Sequence, residues 1–498
     1  MINEKSETDE MHNFVDRKCV NLFYNSDFMK IEQIYTGCLA EAAYYIQSNG
    51  EAAIIDPLRE TAPYIERADN DNAKIKFIFL THFHADFVSG QVDLAKKTGA
   101  TIVFGPTASA EYDIHVATDG EEFKVGNLTL KTIHTPGHTL ESMTILLLDE
   151  NKKEQCIFTG DTLFIGDVGR PDLAVKQGTL TEEDLARKLF QSLRTKIMTL
   201  PDYITVYPNH GAGSACGKKM SKETFDSLGN QKQTNYALRA DMTEDEFVKE
   251  VLSGLSEPPQ YFPKNVGMNK RVNSTIDEII KRGTTGLTVE EFKKLAKEDN
   301  ALILDVRSQG EFVMEHIPGS IFIGLDGQFA PWVGALIPDI NQKIILVAPF
   351  GREEEAVTRL SRIGYDNSLG YLKGGLVTWK ESGNEIDSIK KITAKEFEEI
   401  RKKEKINVLD VRKRSEWEAE HIIDVPNSPL DTINVDMKNL DPDKTYYVHC
   451  AGGYRSVIFE SILKSRGLHN LVDVAGGFGA IKSETELGCT PFVCPSTI

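Results

Sequence analysis

The sequence lacks any apolar run that approaches the roughly 20 residues needed to cross a bilayer. Its first ten residues are polar and acidic, without the apolar core of a secretory signal peptide. These two absences predict a cytoplasmic protein that has no membrane partner.

Positive charge and cysteine are also scarce. Lys and Arg number 57 against 75 Asp and Glu, and the formal net charge of −18 argues against a nucleic-acid partner, since such a partner needs a basic surface. The 7 cysteines are odd in number and widely scattered along 498 residues. This pattern is not a disulfide framework, and most of these thiols are expected to be buried.

What the sequence does contain is an internal repeat in its C-terminal half. Leu304-Asp-Val-Arg recurs as Leu409-Asp-Val-Arg, and Glu315-His-Ile recurs as Glu420-His-Ile, both at a spacing of 105 residues (304 to 409, 315 to 420). Each copy alternates short apolar strands with helices. This alternation predicts two small homologous α/β domains with parallel sheets.

The chain is longer than one hydrophobic core usually supports, so we expect several domains. Upstream of the repeat, short apolar strands again alternate with helices, in one larger unit. The predicted division comprises an N-terminal extension (1–29), the larger unit (30–273), a linker (274–284), a first repeat (285–387) and a second repeat (388–498).

Four separated segments of the larger unit place metal-ligand residues just beyond strand ends, where α/β enzymes gather their sites. They are Thr81-His-Phe-His-Ala-Asp-Phe, Thr135-Pro-Gly-His-Thr, Thr159-Gly-Asp-Thr and Tyr207-Pro-Asn-His-Gly. A lone histidine is more often a surface or core residue than a ligand. The four segments in this order, however, resemble the metallo-β-lactamase superfamily. That resemblance implies an αββα sandwich with metal at one edge.

Hydrolases of this superfamily, such as the glyoxalase II type, bind two metals through His-X-His-X-Asp-His. The last position is Phe87 in this chain, and a phenyl ring cannot bind a metal. We therefore expect one metal rather than two, which disfavours the bridging hydroxide of a two-metal hydrolase. A zinc-dependent thioester hydrolase of the glyoxalase II type is the alternative function.

The larger unit more closely resembles the persulfide dioxygenases, along stretches such as Ala53-Ile-Ile-Asp-Pro and Gly169-Arg-Pro-Asp. This resemblance implies one Fe(II) per chain, with zinc as the alternative, held by His82, His138 and Asp161. Two imidazoles and one carboxylate leave positions open for substrate and O2, as in other non-haem iron oxygenases.

Further residues are candidates for supporting roles. Those predicted to orient the ligands or to bind water are His84, Asp86 and His210. For Arg170 two interpretations are open, namely a salt bridge with Asp172 or orientation of an anionic persulfide carrier. Cys216 is interpreted either as a buried, inert thiol or as a transient carrier of sulfur.

The second repeat resembles the rhodanese family through Asp410-Val-Arg, Glu420-His-Ile and Cys450-Ala-Gly-Gly-Tyr-Arg-Ser. A strand is predicted to deliver Cys450 into a short glycine-rich loop that leads into a helix. The backbone N–H groups of such a loop and the helix dipole favour an anion, so the thiolate becomes a nucleophile. Arg455 adds a positive charge that can hold an anionic substrate.

The first repeat departs from this pattern. Pro349 occupies the position of the cysteine, and Glu354 occupies that of the arginine. Without a thiol, and with an added negative charge, this copy cannot carry a persulfide. We therefore assign it no catalytic residue and interpret Asp305, Arg307 and His316 as structural.

Together these resemblances imply an enzyme of sulfide detoxification. A low-molecular-weight persulfide of glutathione, coenzyme A or a similar thiol would react with O2 at the iron to give sulfite. Cys450 would then transfer sulfane sulfur to sulfite, which gives thiosulfate. We expect a homo-oligomer. A non-catalytic sulfur carrier with a vestigial metal site is a further alternative, which the intact ligand set and Cys450 disfavour.

Overall fold

The computed structural model describes residues 17–20, 29–175, 179–255 and 257–494. The chain divides into two compact units. The first runs to Ile276 and also includes residues 361–364, and the second holds the other residues from Asp277 onward. Among the described residues, no helix combines the length and the apolar character that a membrane span requires.

Two sheets form the centre of the first unit. Neighbours in the first sheet follow chain order: β1 (Arg17–Val20), β2 (Lys30–Thr36), β3 (Glu41–Ser48), β4 (Glu51–Ile55), β5 (Lys74–Leu80), β6 (Thr101–Phe104) and β7 (His115–Val116). The second sheet is also ordered along the chain: β8 (Glu122–Val125), β9 (Leu128–His134), β10 (Met143–Leu148), β11 (Glu154–Gly160), β12 (Thr205–Pro208) and β13 (Asp226–Ser227). The helices of this unit are α1 (Ala62–Asn70), α2 (Gln91–Thr98), α3 (Glu182–Ser192), α4 (Leu228–Thr234), α5 (Glu244–Leu252) and α6 (Phe262–Asn269).

Alternating burial along the strands builds the layers of this unit. On β10, Ile145 and Leu147 belong to a core cluster shared with the first sheet, whereas Leu146 and Leu148 belong to a cluster shared with α3 and α5. The other face of the first sheet packs against α1 and α2. Both faces of β10 are therefore apolar, as expected for a strand that is covered on both sides. The predicted αββα sandwich is confirmed.

The second unit contains a separate parallel sheet for each repeat. In the first repeat, α7 (Ile276–Gly283) precedes β14 (Gly286–Leu287), α8 (Val289–Glu298), β15 (Leu302–Asp305), α9 (Gln309–Met314), β16 (Ile321–Phe322), α10 (Phe329–Leu336), β17 (Ile344–Val347), α11 (Glu353–Arg362), β18 (Ser368–Leu372) and α12 (Gly375–Glu381). The sheet order is β14-β18-β17-β15-β16, and the strand pairs are parallel.

The second repeat follows the same plan. Its elements are β19 (Lys391–Ile392), α13 (Ala394–Lys403), β20 (Asn407–Asp410), α14 (Arg414–Ala419), α15 (Ile433–Asp436), β21 (Tyr446–His449), α16 (Tyr454–Ser465), β22 (Leu471–Val474) and α17 (Gly477–Glu484). The parallel sheet order is β19-β22-β21-β20. The equivalent helices α8 and α13 each start with a capping box, at Thr288 with Glu291 and at Thr393 with Glu396, so the two repeats also match at this helix start.

Candidate metal centre and candidate sulfur-transfer site

The candidate metal centre lies where three strands of the first unit end. His82 follows β5, His138 follows β9, and Asp161 follows β11 directly. Each of the three residues is buried, with 2% of its surface exposed. The Nε2 atoms of His82 and His138 lie 3.8 and 3.4 Å from Oδ2 of Asp161. The structure thus brings together the three residues that the resemblance implied.

A chain of hydrogen bonds sets the tautomer of His82. The hydroxyl of Thr81 donates its single proton to Oδ2 of Asp56 at 2.8 Å. The Nδ1–H of His82 therefore donates to this hydroxyl oxygen, at 3.0 Å. The Nε2 lone pair consequently faces Asp161. Burial lowers the pKa of His82 well below its usual range, which keeps the imidazole neutral and able to bind a metal.

A backbone carbonyl fixes the second imidazole. Nδ1 of His138 donates to the carbonyl oxygen of Arg170 at 2.8 Å, so its Nε2 also presents a lone pair. Gly169 permits this close approach, because a Cβ at that position would collide with the backbone of Asp161 and press on the imidazole of His138. The loop after Asp161 therefore positions the second ligand.

The three residues fit a divalent metal ion. Both carboxylate oxygens of Asp161 are buried without a hydrogen-bond partner among the described residues, which is costly for an anion unless a cation lies beside it. Metal bonds of about 2.1 Å at tetrahedral angles separate ligand atoms by about 3.4 Å. The separations of 3.4 and 3.8 Å around Oδ2 of Asp161 are close to that value. The group can therefore hold one ion with little rearrangement.

The candidate sulfur-transfer site is the loop between β21 and α16. Cys450 is buried, and its Sγ accepts a hydrogen bond from the backbone N–H of Gly453 at 3.1 Å. Gly453 has a φ of 104°, in the left-handed region that favours glycine, and this conformation turns the chain into the helix that follows directly after the N–H. α16 begins at the next residue, so its N-terminal dipole adds to the stabilisation of a thiolate.

Arg455 lies in the first turn of α16 and already has a partner. Its guanidinium donates two hydrogen bonds to the carboxylate of Glu416, at 2.5 and 2.9 Å. This pairing raises the pKa of Arg455 and lowers the pKa of Glu416. Glu416 is not among the residues predicted from the sequence. An anionic substrate at Arg455 must share the guanidinium with Glu416 or displace it.

The first repeat contacts the loop of the second. The side-chain amide of Gln309 donates to the carbonyl oxygen of Gly453 at 2.7 Å, and the hydroxyl of Tyr454 donates to the carbonyl oxygen of Gly324 at 3.1 Å. Gln309 thus braces the residue whose N–H points to the sulfur of Cys450. No signal in the sequence of either copy indicates this contact.

Comparison with known proteins assigns both kinds of domain. The family model described as the metallo-beta-lactamase superfamily matches residues 36–210, and the one described as a rhodanese-like domain matches residues 288–382 and 393–484. A solved structure described as a metallo-beta-lactamase from Staphylococcus aureus is 33% identical, with a TM-score of 0.61, and the match covers 70% of this chain and 99% of that chain. The chain belongs to the metallo-β-lactamase superfamily. Two rhodanese-like domains follow the metallo-β-lactamase domain, as predicted.

Two curated relatives carry the names of different reactions. The mitochondrial persulfide dioxygenase of Homo sapiens is 33% identical over 162 residues, which are 32% of this chain and 59% of that protein. A probable hydroxyacylglutathione hydrolase of Schizosaccharomyces pombe is 29% identical over 182 residues, which are 36% of this chain and 66% of that protein. The chain therefore spans less than two thirds of the length of either relative, and membership of the superfamily does not by itself choose between the two reactions.

In this metallo-β-lactamase domain, His84 is engaged by a buried carboxylate. Its Nε2 lies 3.0 Å from Oδ1 of Asp56, and its ring stacks on Phe87 with the centroids 4.3 Å apart. Asp56 therefore supports His82 through Thr81 and pairs with His84 directly. Asp56 is not among the residues predicted from the sequence. The feature that could have indicated it is a charged residue placed directly between the buried strand β4 and Pro57.

A second group of potential ligands lies next to the first. Asp86, His210 and Cys216 each offer one ligand atom, and these atoms lie within 4.8 Å of one another. Nε2 of His210 lies 3.4 Å from Oδ2 of Asp86 and 3.5 Å from Oδ1 of Asp161. Burial raises the pKa of the Cys216 thiol and of Asp86. Although burial disfavours charge on His210, the two carboxylates raise its pKa, which indicates surroundings that attract positive charge.

Of the two interpretations of Arg170, the structure shows the salt bridge with Asp172. Its guanidinium donates two hydrogen bonds to Asp172, at 2.7 and 2.6 Å, and a third to the carbonyl oxygen of Ala215 at 3.3 Å. Its backbone serves the site, because the carbonyl accepts from His138 and the N–H donates to the carbonyl oxygen of Cys216 at 3.0 Å. Arg170 therefore supports the ligands through its main chain.

The first rhodanese-like domain has no thiol at the position of Cys450. α11 begins at Glu353, four residues after Pro349, as α16 begins at Tyr454, four residues after Cys450. The matching helix starts therefore support the alignment of Pro349 with Cys450 and of Glu354 with Arg455. His316 is buried and donates from Nδ1 to the carbonyl oxygen of Phe312 at 2.8 Å, a local structural contact.

Proposed function

We propose that the protein is a persulfide dioxygenase–sulfurtransferase. One persulfide, RSSH, reacts with O2 and water to give the thiol RSH and sulfite, and a second persulfide supplies the sulfur that converts sulfite to thiosulfate. One observation carries the proposal: a single chain joins a buried two-histidine, one-carboxylate centre to a rhodanese-like domain whose cysteine loop is intact.

At the first site, His82, His138 and Asp161 would hold Fe(II), which would supply the chemistry that lets a persulfide react with O2. The protein's own groups prepare this site. Thr81 and the carbonyl of Arg170 keep both Nε2 lone pairs directed at one point. Asp161 supplies one negative charge, so an ion there would keep a positive charge that attracts an anionic persulfide. Burial of all three residues restricts water around the reacting sulfur.

At the second site, the Cys450 thiolate attacks the outer sulfur of RSSH. A new S–S bond forms on Cys450, the original S–S bond breaks, and RSH leaves with the proton. The sulfur of sulfite then attacks the outer sulfur on Cys450, so thiosulfate forms and the thiolate is regenerated. The N–H of Gly453 stabilises the sulfur anion at both stages, and Arg455 attracts sulfite.

A zinc-dependent thioester hydrolase fused to a sulfurtransferase is the second candidate. The similarity to a probable hydroxyacylglutathione hydrolase and the pairing of Asp86 with His210 favour it. Phe87 argues against it, because its ring occupies the sequence position of a metal ligand of such hydrolases and stacks on His84.

Oxygen uptake with glutathione persulfide, together with iron analysis of the purified full-length chain, tests the proposal. The wild type should consume O2 and contain iron, whereas His82→Ala should lose bound iron and at least about 100-fold in oxygen uptake, because one of three ligands is gone. His115→Ala, at a partly exposed histidine paired with Glu121, is the matched control and should behave as the wild type. Hydrolysis of S-lactoylglutathione without oxygen uptake would support the second candidate and refute the first.

The proposal also includes the thiol carrier, location and assembly. Glutathione persulfide and coenzyme A persulfide, compared at equal concentration, would identify the preferred carrier by kcat/KM. We further propose a cytoplasmic homo-oligomer, which light scattering of the purified protein and fractionation of the cells that produce it would test.

A further inference from the structure

Polar side chains lead inward from the sulfur of Cys450. Its Sγ lies 3.8 Å from the hydroxyl oxygen of Ser456, and this hydroxyl donates to Oδ1 of Asp473 at 2.6 Å. Ser456 and Asp473 are fully buried, with 0% of their surfaces exposed. The reaction proposed above uses Cys450, Gly453 and Arg455, and it gives this inner side of the site no role.

The single proton of the Ser456 hydroxyl points to Asp473. The hydroxyl oxygen lies 2.6 Å from the carboxylate of Asp473 and 2.9 Å from the carbonyl oxygen of Gly453. The carboxylate is both closer and charged, so it is the stronger acceptor. The oxygen of Ser456 can therefore accept the thiol proton of Cys450. Thiol, hydroxyl and carboxylate form a series in which each group can pass a proton to the next.

The surroundings favour a proton on Asp473 and a negative charge on the sulfur. Burial raises the pKa of Asp473, and Nζ of Lys391, 3.4 Å from Oδ2 of this carboxylate, limits that rise. Burial and the neighbouring Asp473 also raise the pKa of Glu460, one helical turn after Ser456, well above its usual range, which keeps Glu460 neutral. At the sulfur, the N–H of Gly453 and the N-terminal dipole of α16 favour an anion.

The first repeat has different residues at these positions. β18 pairs with β14 in the register in which β22 pairs with β19, so Tyr371 stands at the position of Asp473. The matching starts of α11 and α16 place Glu355 at the position of Ser456, and Glu355 forms an ion pair with Arg352. The repeat that has the thiol therefore has the inner hydroxyl and carboxylate, and the repeat without the thiol has neither.

We propose that Ser456 and Asp473 form an internal proton relay for the nucleophile of the sulfur-transfer site, an inference that rests on the proposed role of Cys450. The S–H bond of Cys450 breaks as its proton passes to the hydroxyl oxygen of Ser456, and the former hydroxyl proton passes to the carboxylate of Asp473. One negative charge moves from the carboxylate to the sulfur, so protons and charge balance without exchange with solvent. Ser456 then donates to the thiolate, and Asp473 is a positioning residue that acts through Ser456.

Infrared spectroscopy of the full-length chain, labelled with 13C in the aspartate carboxyl groups, tests where the proton lies. The label separates the C=O band of protonated aspartate from that of Glu460. At neutral pH the wild type should show more protonated aspartate than Cys450→Ser, because a serine hydroxyl is too weak an acid to protonate a carboxylate. The difference should vanish when both proteins also carry Asp473→Asn. Equal bands in the wild type and Cys450→Ser, or a difference that survives Asp473→Asn, would overturn the inference.

Alkylation of Cys450 by iodoacetamide at one fixed pH tests the hydroxyl, with peptide mass spectrometry to follow Cys450 alone. Ser456→Ala should slow alkylation at least about 10-fold, as expected when an anion loses one hydrogen bond, whereas Ser456→Thr keeps a hydroxyl and should stay within about 2-fold of the wild type. Ser465→Ala, at a hydroxyl of the same helix that donates to the carbonyl oxygen of Ile462, is the matched control.

Thermal unfolding of each variant confirms that the fold is retained. An unchanged alkylation rate in Ser456→Ala, or a rate in folded Ser456→Thr as low as that of Ser456→Ala, would overturn the relay. Neither measurement uses a persulfide. Failure of the relay is therefore distinct from failure of the proposed sulfur transfer, which product analysis of the wild type detects.

Discussion

The two rhodanese-like domains share a parallel-sheet scaffold, and their loops at the position of Cys450 differ. In both, the arginine of Asp-Val-Arg donates to the buried aspartate, and the Nη2-to-Oδ2 distance is 2.6 Å in Arg307–Asp305 and in Arg412–Asp410. The loops before α11 and α16 differ in backbone. Gly453 has a left-handed φ and its N–H donates to the Sγ of Cys450, whereas the equivalent Arg352 does not have a positive φ and its N–H donates to the carbonyl oxygen of Pro349. The comparison indicates that the ion pair maintains the fold, while the reactive thiol needs its own loop conformation.

The largest expected effect comes from the nucleophile of the second domain. Cys450→Ser should reduce sulfur transfer at least about 10³-fold, as expected when a covalent nucleophile is removed, and should shift the product from thiosulfate to sulfite. Oxygen uptake should persist, because the candidate iron ligands lie in the other unit. Ion chromatography of sulfite and thiosulfate measures this shift, with Cys489→Ser as the control. Thiosulfate at the wild-type rate, after correction for the spontaneous reaction of sulfite with persulfide, would contradict the coupled mechanism.

Adding a thiol to the first domain should not make it active. In a Cys450→Ser background, we expect Pro349→Cys to restore less than about 1% of sulfur transfer, because the N–H of Arg352 donates to the backbone carbonyl oxygen of residue 349 at 3.1 Å, whereas the N–H of Gly453 donates to the Sγ of Cys450. Peptide mass spectrometry after persulfide treatment should find no added sulfur on residues 288–382 of the Cys450→Ser chain. Recovery of substantial activity would mean that a thiol at this position suffices without the loop.

Loss of the hydrogen bond from Gln309 to Gly453 should have a moderate effect on sulfur transfer. Gln309→Ala removes one hydrogen bond, worth about 1 kcal/mol, and should slow sulfur transfer by about 5-fold while leaving oxygen uptake unchanged. The rate of Cys450 alkylation at a fixed pH should also fall, since the N–H of Gly453 would be held less firmly. Gln342→Ala is the control, because its side-chain amide donates to the carbonyl oxygens of Asn300 and Lys343 in the same domain. An unchanged alkylation rate would show that Gln309 does not position the loop.

The smallest expected effect concerns Glu416. Its pKa is lowered by the hydrogen bonds from Arg455, so the pair stabilises the fold above the usual carboxyl pKa of 4.5 and loses this contribution as the pH falls below it. Glu416→Gln should cost about 0.5 kcal/mol or less at pH 7, and nothing in acid, because the pair is partly exposed.

The same change should lower the KM for sulfite a few-fold, since Arg455 is freed for an anion. Glu311→Gln, at the matching position of the first domain, should leave this KM unchanged. Thermal unfolding at pH 7 and at a pH well below the lowered pKa of Glu416, together with steady-state kinetics, measures both effects. A higher KM in Glu416→Gln would mean that Glu416 positions Arg455 for the substrate instead of competing with it.

The internal repeat and its alternation of strands and helices predicted the two parallel sheets. The motifs at strand ends carried the family resemblances, which implied the αββα sandwich, the group of His82, His138 and Asp161, and the loop of Cys450. Each of these depends on a local pattern: apolar alternation sets a strand, and the residues that follow it reach the edge of the sheet. The supporting contacts have no such pattern. Asp56 pairs with His84 across 28 residues, Glu416 with Arg455 across 39, and Gln309 with Gly453 across 144.

Local sequence therefore decided which residues could carry the chemistry, and tertiary structure decided how they are held. The tautomers of His82, His138 and His210 depend on hydrogen bonds that only folding forms. The partners are the hydroxyl of Thr81 and the backbone carbonyl oxygens of Arg170 and Ala40. Cys216 illustrates the same limit: as a lone cysteine it could be inert or reactive, and only the folded chain sets it beside Asp86 and His210. The physical reason is that hydrogen bonding and metal binding act over about 2 to 3 Å, so separation along the chain says nothing about them until the cores have formed.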